Sequence, residues 1–129
     1  MAKILLVEDN EMNRDMLSRR LERRGYTVVI AVDGVQAVAM AESEKPALIL
    51  MDLSLPKLDG LAATRRIRED KHVGKTPIVA VSAHDSPETR TEALAAGCDE
   101  YVTKPIDFDQ LDALLKRFLP KERHKNRGH

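Results

Sequence analysis

An α/β fold, with a doubly wound, five-stranded parallel sheet between two layers of helices, follows from three features of this sequence. Short apolar runs rich in Val, Ile and Leu alternate strictly with segments of helical periodicity, five times along the chain. The run Leu48-Ile49-Leu50-Met51 has no polar alternation, the mark of a strand buried on both faces. The 129 residues suffice for one domain with a single core and fall short of the eight units that a barrel needs. Right-handed crossovers then put helices on both faces, giving a three-layer sandwich.

The elements follow in order. Ile4-Leu5-Leu6-Val7 is the first strand and ends in two acids, Glu8-Asp9. Asn10 is placed to cap the next helix, in which Met12, Met16, Leu17 and Leu21 recur at helical spacing. Arg19, Arg20, Arg23 and Arg24 fill its solvated face, and Gly25 suits the residue just past its end. Thr27-Val28-Val29-Ile30-Ala31 is the second strand, with Asp33-Gly34 as the turn after it. Residues 35–43 read as a helix, which Glu44-Lys45-Pro46 closes because proline turns its predecessor away from α. The third strand ends at Asp52 and gives way to a turn-rich loop over 53–60. A helix over 61–69 follows. Thr76-Pro77 opens the fourth strand, which ends at Ser82. Ser86-Pro87-Glu88-Thr89 starts a helix with a capping residue and a first-turn proline, and Gly97 stops it. Glu100-Tyr101-Val102-Thr103 is the fifth strand, leaving through Lys104-Pro105. The last helix starts near Asp107, aligns Phe108, Leu111, Leu115 and Phe118 in one stripe, and stops before Pro120. The expected domain is 1–119, with a polar tail at 120–129.

Composition removes several function classes. Acids and bases balance at 21 each, so net charge points to neither nucleic acid nor membrane. Cys98 is the only cysteine, which excludes an internal disulfide and fits a cytoplasmic location. The chain shows no signal peptide and no apolar run long enough to span a bilayer. The glycine patterns of dinucleotide and nucleoside triphosphate sites are missing. His72, His84, His124 and His129 lack metal-ligand spacing, and the basic stretch 121–127 lacks aromatics for stacking on bases.

What remains is a pattern at the strand ends. Glu8-Asp9, Asp52, Ser82 and Lys104 terminate strands one, three, four and five, and a parallel sheet puts all these ends on one edge, where ligands bind. Carboxylates gathered there repel, and a hard divalent cation relieves the repulsion. An ammonium and a hydroxyl complete the parts of a phosphoryl-transfer site. Asp52 ends the most apolar strand and is the best nucleophile candidate; a carboxylate nucleophile forms an acyl phosphate.

Val7-Glu8-Asp9-Asn10, Leu50-Met51-Asp52 followed by Leu55-Pro56 and Asp59-Gly60, then Ser82-Ala83 and Lys104-Pro105 resemble the receiver domain of two-component response regulators. The resemblance runs from about Lys3 to about Leu119 and covers both stand-alone types, chemotaxis regulators and cell-cycle single-domain regulators. It implies a flavodoxin-like (βα)5 fold. It implies that Asp52 is the phosphoacceptor, and that Glu8, Asp9, Asp52 and the backbone carbonyl of Ser54 hold Mg2+ (or Mn2+). Ser82 is then the switch hydroxyl, Lys104 the partner of the phosphate, Tyr101 the aromatic switch, and Pro105 follows a cis peptide bond. Ser54 and His84 lie where the family tunes the lifetime of the phosphate. Two residues depart from the commoner pattern: Glu8 stands for aspartate, which puts water into its metal contact, and Ser82 stands for threonine.

The expected function is a single-domain response regulator. It takes a phosphoryl group from a sensor histidine kinase or a histidine phosphotransfer protein and signals to a downstream protein through a phosphorylation-dependent surface. No separate substrate turnover, no nucleic acid or membrane partner, and a monomer or weak homodimer are expected. Met1 and the polar tail favour this over a receiver cut from a hybrid kinase or larger regulator, while a phosphorelay intermediate stands as the alternative. A phosphatase of similar architecture would carry a second aspartate two residues after the nucleophile, where this chain has Ser54.

Overall fold

The computed structural model of the protein describes residues 2–53, 55, 59–84 and 86–119. Five strands and five helices alternate: β1 (Lys3–Val7), α1 (Glu11–Arg23), β2 (Thr27–Ala31), α2 (Gly34–Glu44), β3 (Leu48–Asp52), α3 (Gly60–Glu69), β4 (Ile78–Ser82), α4 (Pro87–Ala96), β5 (Glu100–Thr103) and α5 (Phe108–Phe118). The sheet is parallel throughout, in the order β2-β1-β3-β4-β5. The order reverses between β1 and β3, so their ends flank the crevice in which doubly wound sheets place their ligands.

Strand alternation divides the core in two. Ile4, Leu6, Leu48, Leu50, Val79 and Val102 face α1 and α5, where Leu17, Leu21, Leu111, Leu114 and Leu115 meet them. Leu5, Val7, Ile49, Met51, Ile78, Ala80 and Tyr101 face the other side, packing on Ala37, Ala41, Ala63, Ile67 and Ala93 of α2, α3 and α4. β3 and β4 are buried at every residue, as their unbroken apolar runs require. β2, one of the two edge strands, is half exposed.

Each helix begins just beyond the site edge of the sheet, behind a capping side chain. Asn10, Asp33, Asp59, Ser86 and Asp107 accept hydrogen bonds from the first-turn amides of α1 to α5 in turn. Such caps contribute about 1 kcal/mol each, and here they also fix where the loops at this edge end.

The helix stripe needs correction in α1. Met12 and Met16, expected on the apolar face, are 79% and 49% exposed, and Val35 of α2 is also exposed. Leu17 and Leu21 alone carry the burial of α1. Its arginines are not all solvated. Arg20 lies 3.9 Å from the centre of the Phe108 ring. Arg24 makes a two-pronged bond to Asp112 of α5, at 2.9 and 2.6 Å, and holds that carboxyl below its usual range. These two side chains tie α1 to α5. Gly25 has a φ of 95°, as expected for the residue past the helix. Lys45 takes a left-handed φ of 46° at the end of α2.

One glycine is fixed by the site itself. A Cβ on Gly60 would collide with the carbonyl oxygen of Asp52 and stand 2.6 Å from the Cα of Leu53. The start of α3 is therefore pressed against the backbone that carries Asp52. Gly60→Ala should destabilise the protein by about 1–3 kcal/mol, because the clash is with backbone and cannot relax by a rotamer change. Urea unfolding checks this; a midpoint equal to that of the wild type would show that α3 is free to move.

Candidate functional site

The strand ends bring together Glu8, Asp9, Asp52 and Lys104. Glu8 and Asp52 are almost wholly buried, at 2% and 4% exposure, while Asp9 is exposed. One oxygen from each of the three carboxylates fits within 4.8 Å of the others. The alternation that sorts the core explains the convergence. Continued past the strand ends, it puts Glu8, Asp52 and Lys104 on the α1 and α5 side, in step with Leu6, Leu50 and Val102.

A single ammonium joins the group. Lys104 Nζ lies 3.2 Å from Asp52 Oδ2 and 3.4 Å from Glu8 Oε1. Glu8 Oε2 also accepts the backbone N–H of Asn10, at 3.2 Å. Burial, and then the nearby Asp52 carboxylate, push the Glu8 carboxyl above its ordinary range, against the pull of Asn10 and Lys104. Burial alone would lower the Lys104 ammonium, but Asp52 and Glu8 outweigh it and hold Lys104 above its usual value. Among the described residues the balance is lopsided: three acids share one base. Hard oxygen donors carrying excess negative charge suit a small divalent cation, so the residues present fit one. Ser54, whose carbonyl was expected to join the set, lies outside the described residues. The Lys104–Pro105 peptide bond is cis.

Ser82 belongs to a different arrangement. It is 1% exposed, and the alternation gives it the face of Ala80 and Tyr101, toward α4. Its Oγ accepts the N–H of His84 at 3.1 Å. The Tyr101 hydroxyl donates to the carbonyl of the same His84. One peptide segment at the exit of β4 is thus held by both residues that the sequence marks as a switch. The His84 side chain is exposed. The Tyr101 ring, expected as the aromatic switch, stands in its inward position: it is 2% exposed and part of the core, with the Arg90 guanidinium 5.2 Å from its centre.

Cys98 is buried beside Thr64, and its thiol is raised by that burial. It plays no part at this edge. Among the described residues, no helix is long and apolar enough to cross a membrane.

Comparison with known proteins gives consistent matches. A model described as the response regulator receiver domain covers residues 4–116. The alkaline phosphatase synthesis transcriptional regulatory protein of Bacillus subtilis is 40% identical over 91% of this chain and 48% of its own. Hybrid signal transduction histidine kinase G of Dictyostelium discoideum is 41% identical over 92% of this chain and 4% of its own. The chain thus spans about half the length of the transcriptional regulators it matches and a small part of that kinase. Among solved structures, the receiver domain of a sensor histidine kinase from Pseudomonas aeruginosa, with magnesium coordinated in its active site cleft, superposes with a TM-score of 0.85. It is 40% identical, over 91% of this chain and 96% of that one.

The raised Glu8 carboxyl has a consequence for stability. A carboxyl raised on folding contributes stability that is fully present below its ordinary value of 4.5 and is lost as pH rises through the folded value. At neutral pH and without metal, ionised Glu8 is a liability beside Asp52. Glu8→Gln should therefore unfold at a higher temperature than wild type at pH 7 in chelator, with the gap closing toward pH 4. Thermal scans across that range check it; a variant less stable than wild type at pH 7 would show that the Lys104 contact outweighs the repulsion.

Proposed function

Because the chain belongs to the response regulator receiver domain family, we propose that Asp52 accepts a phosphoryl group from the phosphohistidine of a sensor histidine kinase or histidine phosphotransfer protein. An Asp52 carboxylate oxygen bonds to phosphorus as the phosphorus–nitrogen bond breaks; the leaving ring nitrogen takes the electron pair and, with the proton already on the other ring nitrogen, departs as neutral imidazole, leaving an acyl phosphate here. The observation that carries this reading is the three-carboxylate group with Lys104 spanning Asp52 and Glu8. Glu8, Asp9, Asp52 and the Ser54 carbonyl would hold Mg2+ (or Mn2+), which supplies the positive charge that lets an anionic donor approach. Lys104 holds Asp52 in place before transfer and exchanges it for a phosphoryl oxygen afterwards.

Ser82 can act without giving up its present bond. A hydroxyl accepts through a lone pair and donates through its proton, so Ser82 can keep the His84 N–H and still donate to a phosphoryl oxygen. Movement of that segment bears directly on Tyr101, whose hydroxyl bonds the His84 carbonyl. With the ring already inward, phosphorylation acts by favouring this state over an outward one, which alters the surface of α4, β5 and α5. A bias of about 1–3 kcal/mol is enough to matter. Ser54 and His84 set the lifetime of the acyl phosphate. We read the protein as a cytoplasmic, stand-alone regulator spanning residues 1–119 with a polar tail. It turns over no separate substrate, binds no nucleic acid or membrane, and is a monomer or weak dimer. A second reading, a relay receiver within a hybrid kinase, is favoured by the 41% and 40% identities to kinase sequences.

Incubation with acetyl phosphate and Mg2+ should add one phosphate to the intact mass of the wild type. Asp52→Asn, and wild type in chelator, should stay unmodified. An adduct on the Asn variant, or one formed equally in chelator, rules out Asp52 as the acceptor.

Amide hydrogen exchange with and without beryllofluoride separates signalling from relay. Signalling predicts altered protection over 84–105 in wild type and little in Ser82→Ala. Changes confined to the neighbourhood of Asp9, Asp52 and Lys104 would favour the relay reading.

A further inference from the structure

The three carboxylates are not secured in the same way. Glu8 is held at both oxygens, by Lys104 and by the Asn10 amide. Asp52 is held by Lys104 on a fully buried strand. The Asp9 carboxylate is exposed, and no described residue makes a hydrogen bond or ion pair to it. Its position in the group therefore depends on the backbone of the β1–α1 loop.

Besides the Glu8 carboxylate at the Asn10 amide, one side chain among the described residues grips that backbone at its carbonyls. Arg14 Nη1 donates to the carbonyl oxygen of Glu8 at 3.2 Å and to that of Asp9 at 3.3 Å. The Glu8 N–H is tied to the Ala31 carbonyl of β2 at 3.1 Å. Arg14 and the edge of the sheet thus grip the loop from both sides. The placement is not one that α1 favours by itself. Arg14 sits in the first turns of the helix, where a cation opposes the helix dipole. Asp9, Glu11 and Asp15 are its neighbours in sequence, yet among the described residues it forms no ion pair with any of them. Asp15 pairs with Arg19 instead. The guanidinium is committed to two main-chain carbonyls.

We infer that Arg14 is a positioning residue for the divalent cation: by holding the Glu8 and Asp9 carbonyls it aims the otherwise unsupported Asp9 carboxylate into the group with Glu8 and Asp52. The inference rests on the metal-binding reading of that group. Its value as a test lies in a sign. A positive charge this close to a cation site weakens binding by simple Coulomb repulsion, so removing it should tighten Mg2+ binding. Loss of positioning weakens it. The two effects cannot be confused.

The experiment titrates the full chain with Mg2+, reading affinity by calorimetry and the Asp9 and Asn10 amides by two-dimensional NMR. It compares wild type, Arg14→Met, Arg14→Gln, Arg14→Lys and, as a surface control, Arg19→Met. Both neutral Arg14 variants should bind Mg2+ about tenfold more weakly, the usual scale for loss of a group that orients a ligand. Arg14→Lys should recover most of that loss, because a single nitrogen makes both contacts. Arg19→Met should match wild type. In phosphorylation by acetyl phosphate, the Mg2+ concentration giving half the maximal rate should rise by the same factor, while the rate at saturating Mg2+ is kept. If Arg14→Met does not give the native spectrum, Arg14→Gln carries the comparison. Neutral variants that bind as tightly as wild type or more tightly overturn the inference, as does a lysine variant as weak as the methionine one. Wild type that fails to bind Mg2+ removes the metal reading and this inference with it, whereas intact wild-type binding with unaffected Arg14 variants removes this inference alone.

Discussion

One ammonium between two buried carboxylates is the constraint on which this structure turns. Asp52 ends a strand with no exposed residue, and Glu8 follows a strand nearly as dry. Both carboxylates are drawn out of water by the apolar runs that precede them. Taking a carboxylate out of water is costly, and burial raises the Glu8 carboxyl above its ordinary range. Lys104, delivered from the end of β5 across the end of β4, offsets part of the cost and aligns both side chains. It cannot offset all of it, since Asp9 adds a third negative charge. The described groups keep an excess of negative charge, a condition suited first to a cation and then, once that is bound, to an anionic phosphoryl group.

The sheet and the site were legible for the same reason. Unalternated apolar runs such as 48–51 mark buried parallel strands, and a parallel sheet collects its strand ends on one edge. The polar residues at those ends therefore had to share an edge. What the strand ends alone did not separate was Ser82 from Glu8, Asp52 and Lys104. The period-two alternation does separate them: Ser82 falls in step with Ala80 and Tyr101, and its hydroxyl turns to His84 rather than to Lys104. Capping residues were also readable, because Asn10 and the Ser86-Pro87 pair have few other uses at a helix start.

Other features depend on tertiary context that no local pattern carries. Met12 and Met16 fit a helical stripe, but the contact between α1 and the sheet is narrow and ends at Leu17 and Leu21. Arg20 and Arg24 look like solvated charges until α5 brings Phe108 and Asp112 beside them. Tyr101 is inward because a hydroxyl acceptor, the His84 carbonyl, happens to stand at the right depth. Arg14 gives no sequence signal of its role, since its partners are main-chain carbonyls. Its early place in α1, against the helix dipole, was the only hint available.

The central claim is that this acidic group is under-neutralised and takes up a divalent cation when one is offered. Thermal unfolding of the unphosphorylated protein against Mg2+ concentration tests it directly. A cation that binds only the folded state adds about 2.7 kcal/mol at a hundred times its dissociation constant. The account predicts a melting temperature that climbs with Mg2+ in the wild type and stays flat in Asp9→Asn and Asp52→Asn. A flat wild-type response, or the same climb in all three proteins, would contradict it.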